Sequence, residues 1–142
     1  MLVQLMPEQI TERWDIIGGI IENCLPPVTN GTVDRMVNIL ERLLKGEMQC
    51  WVGYEAKEPI VLVITTEVRD AAGSSRDLLI YVFYGIAPLN AEQYLAIYNQ
   101  LRVYSKSMGM NRITFYTNVE RIRRMVKGMG GSVEWTYGIM EV

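Results

Sequence analysis

The sequence contains no histidine. This removes Ser-His and Cys-His nucleophile activation, imidazole acid/base steps and every histidine-based metal site, and leaves Asp, Glu, Tyr, Cys and Lys to move protons. Two cysteines, Cys24 and Cys50, lack CxxC spacing and read as reduced, buried thiols. Cationic side chains gather late in the chain: Arg112, Arg121, Arg123, Arg124 and Lys127 could hold phosphates, a nucleic acid or an acidic partner. The same residues also fit a solvated helix surface, because Arg121 and Arg124 share one helix face and Arg123 and Lys127 another. With a formal charge of −2 there is no global attraction to polyanions, so a nucleic-acid partner is not expected. The stretch YGIAPLNAEQ (84–93) has two readings. Asn90 and Gln93 can form a capping box, or the loop and the helix start can cradle an anion.

These residues must be positioned by one domain, since 142 residues with 49% apolar and 21% charged content suffice for a single core over 1–142. The opening MLVQLMPEQ has neither a basic region nor an apolar run, and no stretch reaches membrane-spanning length. The expected location is therefore cytoplasmic, with no membrane partner. Met1 to Leu5 reads as a short strand. Ile10, Trp14, Ile17, Ile21 and Cys24 then mark one helix from Pro7 to the Pro26-Pro27 stop. Val28 to Gly31 reads as a turn and Thr32 as an N-cap. Val33, Met36, Val37, Leu40, Leu43 and Leu44 mark a second helix ended by Gly46. Met48–Tyr54, Ile60–Val68 and Leu78–Tyr84 are rich in β-branched and aromatic residues and have short connections, which predicts an antiparallel meander. Asn90 caps a long helix whose apolar face is read as Tyr94, Leu95, Tyr98, Leu101, Tyr104 and Met108. Arg112–Tyr116 is a strand. Asn118 caps a helix carrying Ile122, Met125, Val126 and Met129, and Ser132–Val142 forms a last strand after Gly130-Gly131. The fold class is α/β (α+β) with a mixed sheet, in the order β-α-α-β-β-β-α-β-α-β.

That order, together with the segment ITFYTN-VERIRRMVKGMGG (113–131), resembles the GNAT (N-acetyltransferase-like) superfamily, and in particular small phage-encoded GNAT-like proteins. The resemblance implies a wedge between Leu78–Tyr84 and Arg112–Tyr116 that takes acetyl-CoA. Val82, Phe83, Tyr84, Gly85, Ile86, Ala87 and Asn90 would contact the cofactor. It further implies Glu67 as general base toward an amine, Asn118 as the residue positioning the thioester and Tyr116, or nearby Tyr84, as acid. In the family's phosphate loop, Ala87 stands where Arg or Gln is usual and Pro88 and Asn90 where glycines are usual. Glu92 places a carboxylate in the first turn of the following helix, and Met125 lies near the family's tyrosine position. Two functions follow: an acetyl-CoA-dependent N-acyltransferase, or a GNAT-fold assembly protein without catalysis, such as a phage virion component, that binds protein partners or its own copies. Met108 and Met110, flanking a turn, are candidates for such a partner surface.

Overall fold

Alternation of β-branched residues sets the sheet, and the length of each connection sets the direction of pairing. The computed structural model describes residues 1–26 and 34–142. The expected turn at Val28–Gly31 and the Thr32 cap lie outside them. Five strands, β1 (Leu2–Gln4), β2 (Met48–Glu55), β3 (Glu58–Arg69), β4 (Arg76–Gly85) and β5 (Arg112–Phe115), form one sheet in the order β1-β2-β3-β4-β5. The first four are antiparallel. Ala56 and Lys57, at φ 49° and 69°, turn β2 into β3 in the left-handed conformation that two-residue hairpins favour. Between β4 and β5 the chain crosses through helix α4 (Ala91–Ser107), and the two strands are parallel as such a crossover requires.

The remaining helices are α1 (Pro7–Glu12), α2 (Trp14–Cys24), α3 (Arg35–Leu44) and α5 (Glu120–Gly128). The first expected helix is thus two, interrupted at Arg13 (φ −112°, ψ 17°). The interruption leaves Ile10, Ile17 and Ile21 in one core, which is why the apolar spacing did not mark it. The last expected strand is not formed: residues 132–142 have no regular secondary structure, and the sheet ends at β5.

Two cores cover the two faces of the sheet. Helices α1–α3 bury Ile10, Ile17, Ile21, Ile39 and Leu43 against Cys50, Val52, Leu62, Ile64 and Val82. Burial pushes the Cys50 thiol up to about 12, so it stays protonated and inert; Cys24 is raised for the same reason, and both thiols are free. On the opposite face α4 packs Ile97 and Leu101 against Val61, Val63 and Leu78. The buried face of α4 is Ile97, Leu101 and Ser105, while Leu95 and Met108 of the expected stripe are exposed. One polar chain crosses this core: Trp51 Nε1–H donates to Thr65 Oγ1 (2.9 Å), whose hydroxyl donates to Gln49 Oε1 (2.9 Å). Each buried polar atom in it is therefore satisfied.

Ion pairs fasten the end of the sheet where β4 begins. Arg112 donates from Nε and Nη2 to both oxygens of the buried Asp77 (2.9 and 2.8 Å), across the β4–β5 pair. Glu67, opposite Leu78, accepts from Arg76 Nε at 2.5 Å and lies 3.3 Å from Arg69 Nε. Hydrogen bonding to Arg112 holds the Asp77 carboxyl below the ordinary carboxylate range, and hydrogen bonding to Arg76 does the same for Glu67.

Two measurements check this packing. Leu101 is fully buried, so Leu101→Ala should cost about 2–5 kcal/mol by chemical denaturation, and a loss below about 0.5 kcal/mol would contradict the burial. For Asp77 the folded pKa is depressed, so its stabilisation is complete above the unfolded value of about 4 and disappears as pH falls through the folded value. Asp77→Asn should therefore lower the denaturation midpoint at pH 7, and the gap from the parent protein should close on acidification below about pH 4.

Candidate functional site: a cleft where two parallel strands part

An irregularity in β4 opens the sheet. Ile64 pairs with Val82 and Thr65 with Ile80, which leaves Tyr81 as an extra residue. Tyr81 and Val82 consequently both pack toward α1–α3, while Ile80 and Phe83 both face the α4 side. Such a bulge bends its strand and increases the local twist. The β4–β5 ladder runs from Asp77↔Arg112 to Ile80↔Phe115 and stops there, one residue before the bulge. From Val82 to Gly85, β4 pairs only with β3, so its other edge is unpaired.

A cleft of about 560 Å³ occupies the opening, between α4 on one side and α5 on the other. Its floor is Ile80, Phe83, Ile113 and Phe115. The α5 stripe of Ile122, Met125, Val126 and Met129, expected to be core, forms its far wall, and α5 buries no residue. Polar groups on the wall are Tyr94, Tyr98, Thr117 and Arg121; no carboxylate, lysine or cysteine lines it. A second hollow of about 420 Å³ lies over Gly85–Leu89 and shares Gly85, Tyr94 and Arg121 with the first. Arg121 stands at the junction, its guanidinium 5.6 Å from the centroid of the Tyr94 ring, and Tyr94 in turn stacks on Phe83 at 5.7 Å. Among the described residues no carboxylate pairs with Arg121, whereas Arg123 and Arg124 lie 3.8 and 4.0 Å from Glu120.

The loop over the second hollow has few free donors. Ile86 and Ala87 both donate their N–H to Ile60 O (2.9 and 3.3 Å), and Pro88 has none. Asn90 N–H donates to Gln93 Oε1 (2.8 Å) and Asn90 Oδ1 accepts from Gln93 N (2.9 Å), so the capping box is formed. Gln93 also donates to Glu55 at the end of β2.

The structure brings together some of the sequence-nominated residues and separates others. Phe83 and Gly85 line the cleft, and Gly85, Ile86 and Ala87 line the second hollow. Val82 lends only its backbone to the opened edge, its side chain being buried on the opposite face. Tyr84, Asn90 and Glu92 line neither space, and Asn90 is consumed by capping. Glu67 does not reach the cleft. Because β3 is antiparallel to β4, a residue late in β3 lies level with Leu78, where the strands are still paired, four residues or roughly 13 Å along the strand from Val82. Its ionised carboxylate is already engaged by Arg76 and Arg69, which makes it a weak proton acceptor. Asn118 is not the cap of α5 either. Val119 holds that position, and Thr117 Oγ1 accepts the Val119 N–H at 3.1 Å. Phe115 and Thr117 line the cleft; Tyr116 between them does not, and its ring meets Tyr137 edge-on at 5.5 Å. Sequence reasoning overlooked Tyr94, Tyr98 and Thr117, and it found Arg121 only as one charge in a cluster.

No family model and no curated protein matches the sequence. Solved structures do match in fold. AAC(6')-Iy in complex with the bisubstrate analogue CoA-S-monomethyl-acetylneamine superposes with a TM-score of 0.72 at 11% identity, covering 100% of this chain and 97% of its own. Ribosomal-protein-alanine N-acetyltransferase from Brucella melitensis biovar Abortus 2308 gives 0.67 at 9% identity, covering 100% and 99%. A predicted acetyltransferase from Clostridium acetobutylicum, with acetyl-CoA, gives 0.64 at 13% identity, covering 98% and 95%. None of the three is named as a virion protein. Five strands with a parallel β4–β5 pair, the helices on the two faces and these end-to-end superpositions give the chain the fold of the GNAT acetyltransferases.

Proposed function

We propose that the protein is an acetyl-CoA-dependent N-acyltransferase acting on an amine. The observation that carries this reading is the end of the β4–β5 ladder at Ile80↔Phe115, which leaves the Val82–Gly85 edge facing an apolar cleft. An unpaired strand edge is obliged to find hydrogen-bond partners, and the amides of an extended pantetheine arm can supply them at strand spacing. Phe83, Ile113 and Phe115 exclude water around such an arm. Of the solved neighbours, two hold CoA-type ligands: acetyl-CoA in one and the bisubstrate analogue in the other.

The phosphate end needs a different solution from a glycine loop. With the Ile86 and Ala87 N–H groups bonded to Ile60 and the helix start capped by Asn90, the loop offers little to an anion. Arg121, free of any carboxylate among the described residues, supplies the positive charge from across the cleft, held in place by the Tyr94 ring. Glu92 lies outside both hollows and leaves that charge uncompensated.

Acetyl-CoA supplies an acyl group activated as a thioester, which the amine takes with release of the thiol. We assign Asn118 to thioester positioning, since its side chain has no hydrogen-bond partner among the described residues, and Tyr116 Oη to donating a proton to the departing sulfur. Glu67 is not assigned as base. With no carboxylate lining the cleft, the proton of the attacking amine passes to water.

Calorimetry with acetyl-CoA tests the reading: saturable micromolar binding is expected, and its absence sinks the proposal. Arg121→Gln should weaken that binding about tenfold to a hundredfold, as for loss of hydrogen bonds to a charged group, with a smaller loss at high salt. Acetyl-pantetheine, which carries no phosphate, should bind both proteins equally. In a thiol-release assay Tyr116→Phe should lower kcat while leaving KM unchanged.

A further inference from the structure

Residues 132–142 are built as a strand but have nothing to pair with. Val133, Trp135, Tyr137 and Ile139 alternate with Ser132, Glu134, Thr136 and Gly138, the period-two pattern of a half-buried strand. Yet Trp135 is 95% exposed and Met140 93%. No backbone hydrogen bond joins the segment to any other described residue. A lone strand is not stable in water, and an apolar run of this kind marks an interaction site.

The same chain carries the complementary vacancy. β5 is the edge of the sheet and pairs with β4 alone, so the outer N–H and C=O groups of Arg112–Phe115 are open to another strand. Charge agrees with the pairing. The segment has Glu134 and Glu141 and no basic residue, while β5 and α5 present Arg112, Arg123, Arg124 and Lys127.

The turn that launches the segment directs it away from its own sheet. Gly130 is left-handed (φ 84°), and Gly131 N–H donates to Val126 O at 2.9 Å. The backbone at Gly131 lies so close to α5 that a Cβ there would meet Val126 Cγ1 at 2.5 Å. Beyond this fixed exit the segment touches its own domain only through Tyr137 on Tyr116 among its ring contacts. We infer that the occupant of the β5 edge is a second copy of the chain, each copy laying residues 132–142 along β5 of the other in a closed two-fold pair. Reciprocal exchange satisfies both open edges and covers both tryptophans in one symmetric interface.

Sedimentation or light scattering of the full chain, from about 1 to 100 μM, tests this independently of any cofactor binding. A dimer is expected. Trp135 emission should be blue-shifted in it, identified by difference against Trp135→Phe. Thr136→Pro removes a ladder N–H and bends the strand, and Trp135→Glu puts a charge where the interface is apolar. Each should raise the dimer dissociation constant more than tenfold while leaving circular dichroism and Tm of the diluted monomer unchanged, since neither residue contacts the two cores. The inference is overturned by a parent protein that is monomeric throughout the range, by a monomer with Trp135 already shielded, which would mean docking on its own sheet, or by a dimer that both substitutions leave intact.

Discussion

Everything about the candidate site depends on the one extra residue in β4. A strand that alternated without interruption would pair with β5 for as long as β5 lasted and present a closed surface. Tyr81 breaks that phase: it joins Val82 on the α1–α3 face, keeps Ile80 and Phe83 together on the α4 face, and coincides with the last rung of the parallel ladder. Burial enforces the arrangement. Ile64 and Val82 are anchored in one core and Leu78 in the other, so the strand cannot slip back into register without expelling side chains from both.

The chemistry of the hollow over Gly85–Leu89 illustrates how one demand can be met by different parts. A glycine-rich loop binds an anion with its own amides because nothing else uses them. Here Ile60 O uses two, proline removes a third and the Asn90–Gln93 box secures the helix start. The loop is thereby rigid and well capped, and a guanidinium on the opposing helix carries the charge instead. Arginine suits this role because it can stack on Tyr94 and still present its donor edge to the hollow.

The meander, the long capped helix and the parallel crossover were all legible in the sequence, because each rests on local signals: β-branched runs, a capping box and a helix-length connection. The N-terminal helix break was not, since Arg13 interrupts the helix without disturbing the spacing of Ile10, Ile17 and Ile21. Tyr94, Tyr98 and the α5 stripe were legible as apolar, but an apolar stripe facing a cleft has the same period as one facing a core. Glu67 was misplaced for a topological reason. Lateness in the sequence of β3 means closeness to the start of β4, and the opening is at the other end. The C-terminal alternation was read correctly as strand-forming, but period alone says nothing about which molecule provides the neighbouring strand.

The far wall of the cleft is also its softest part. α1–α3 and α4 each sink side chains into a core, whereas α5 buries none, and β5 holds the sheet through four ladder positions and the Asp77–Arg112 pair. Regions with few buried contacts open at a fraction of the global unfolding free energy. β5 and α5 should thus behave as a separate cooperative unit, exchanging amide hydrogens well before β2, β3 and α4 do. A molecule lodged between α4 and α5 would spend its binding free energy first on suppressing that local opening. Occupancy of the cleft would then register as slower exchange in β5 and α5 long before it changed the temperature at which the whole domain melts.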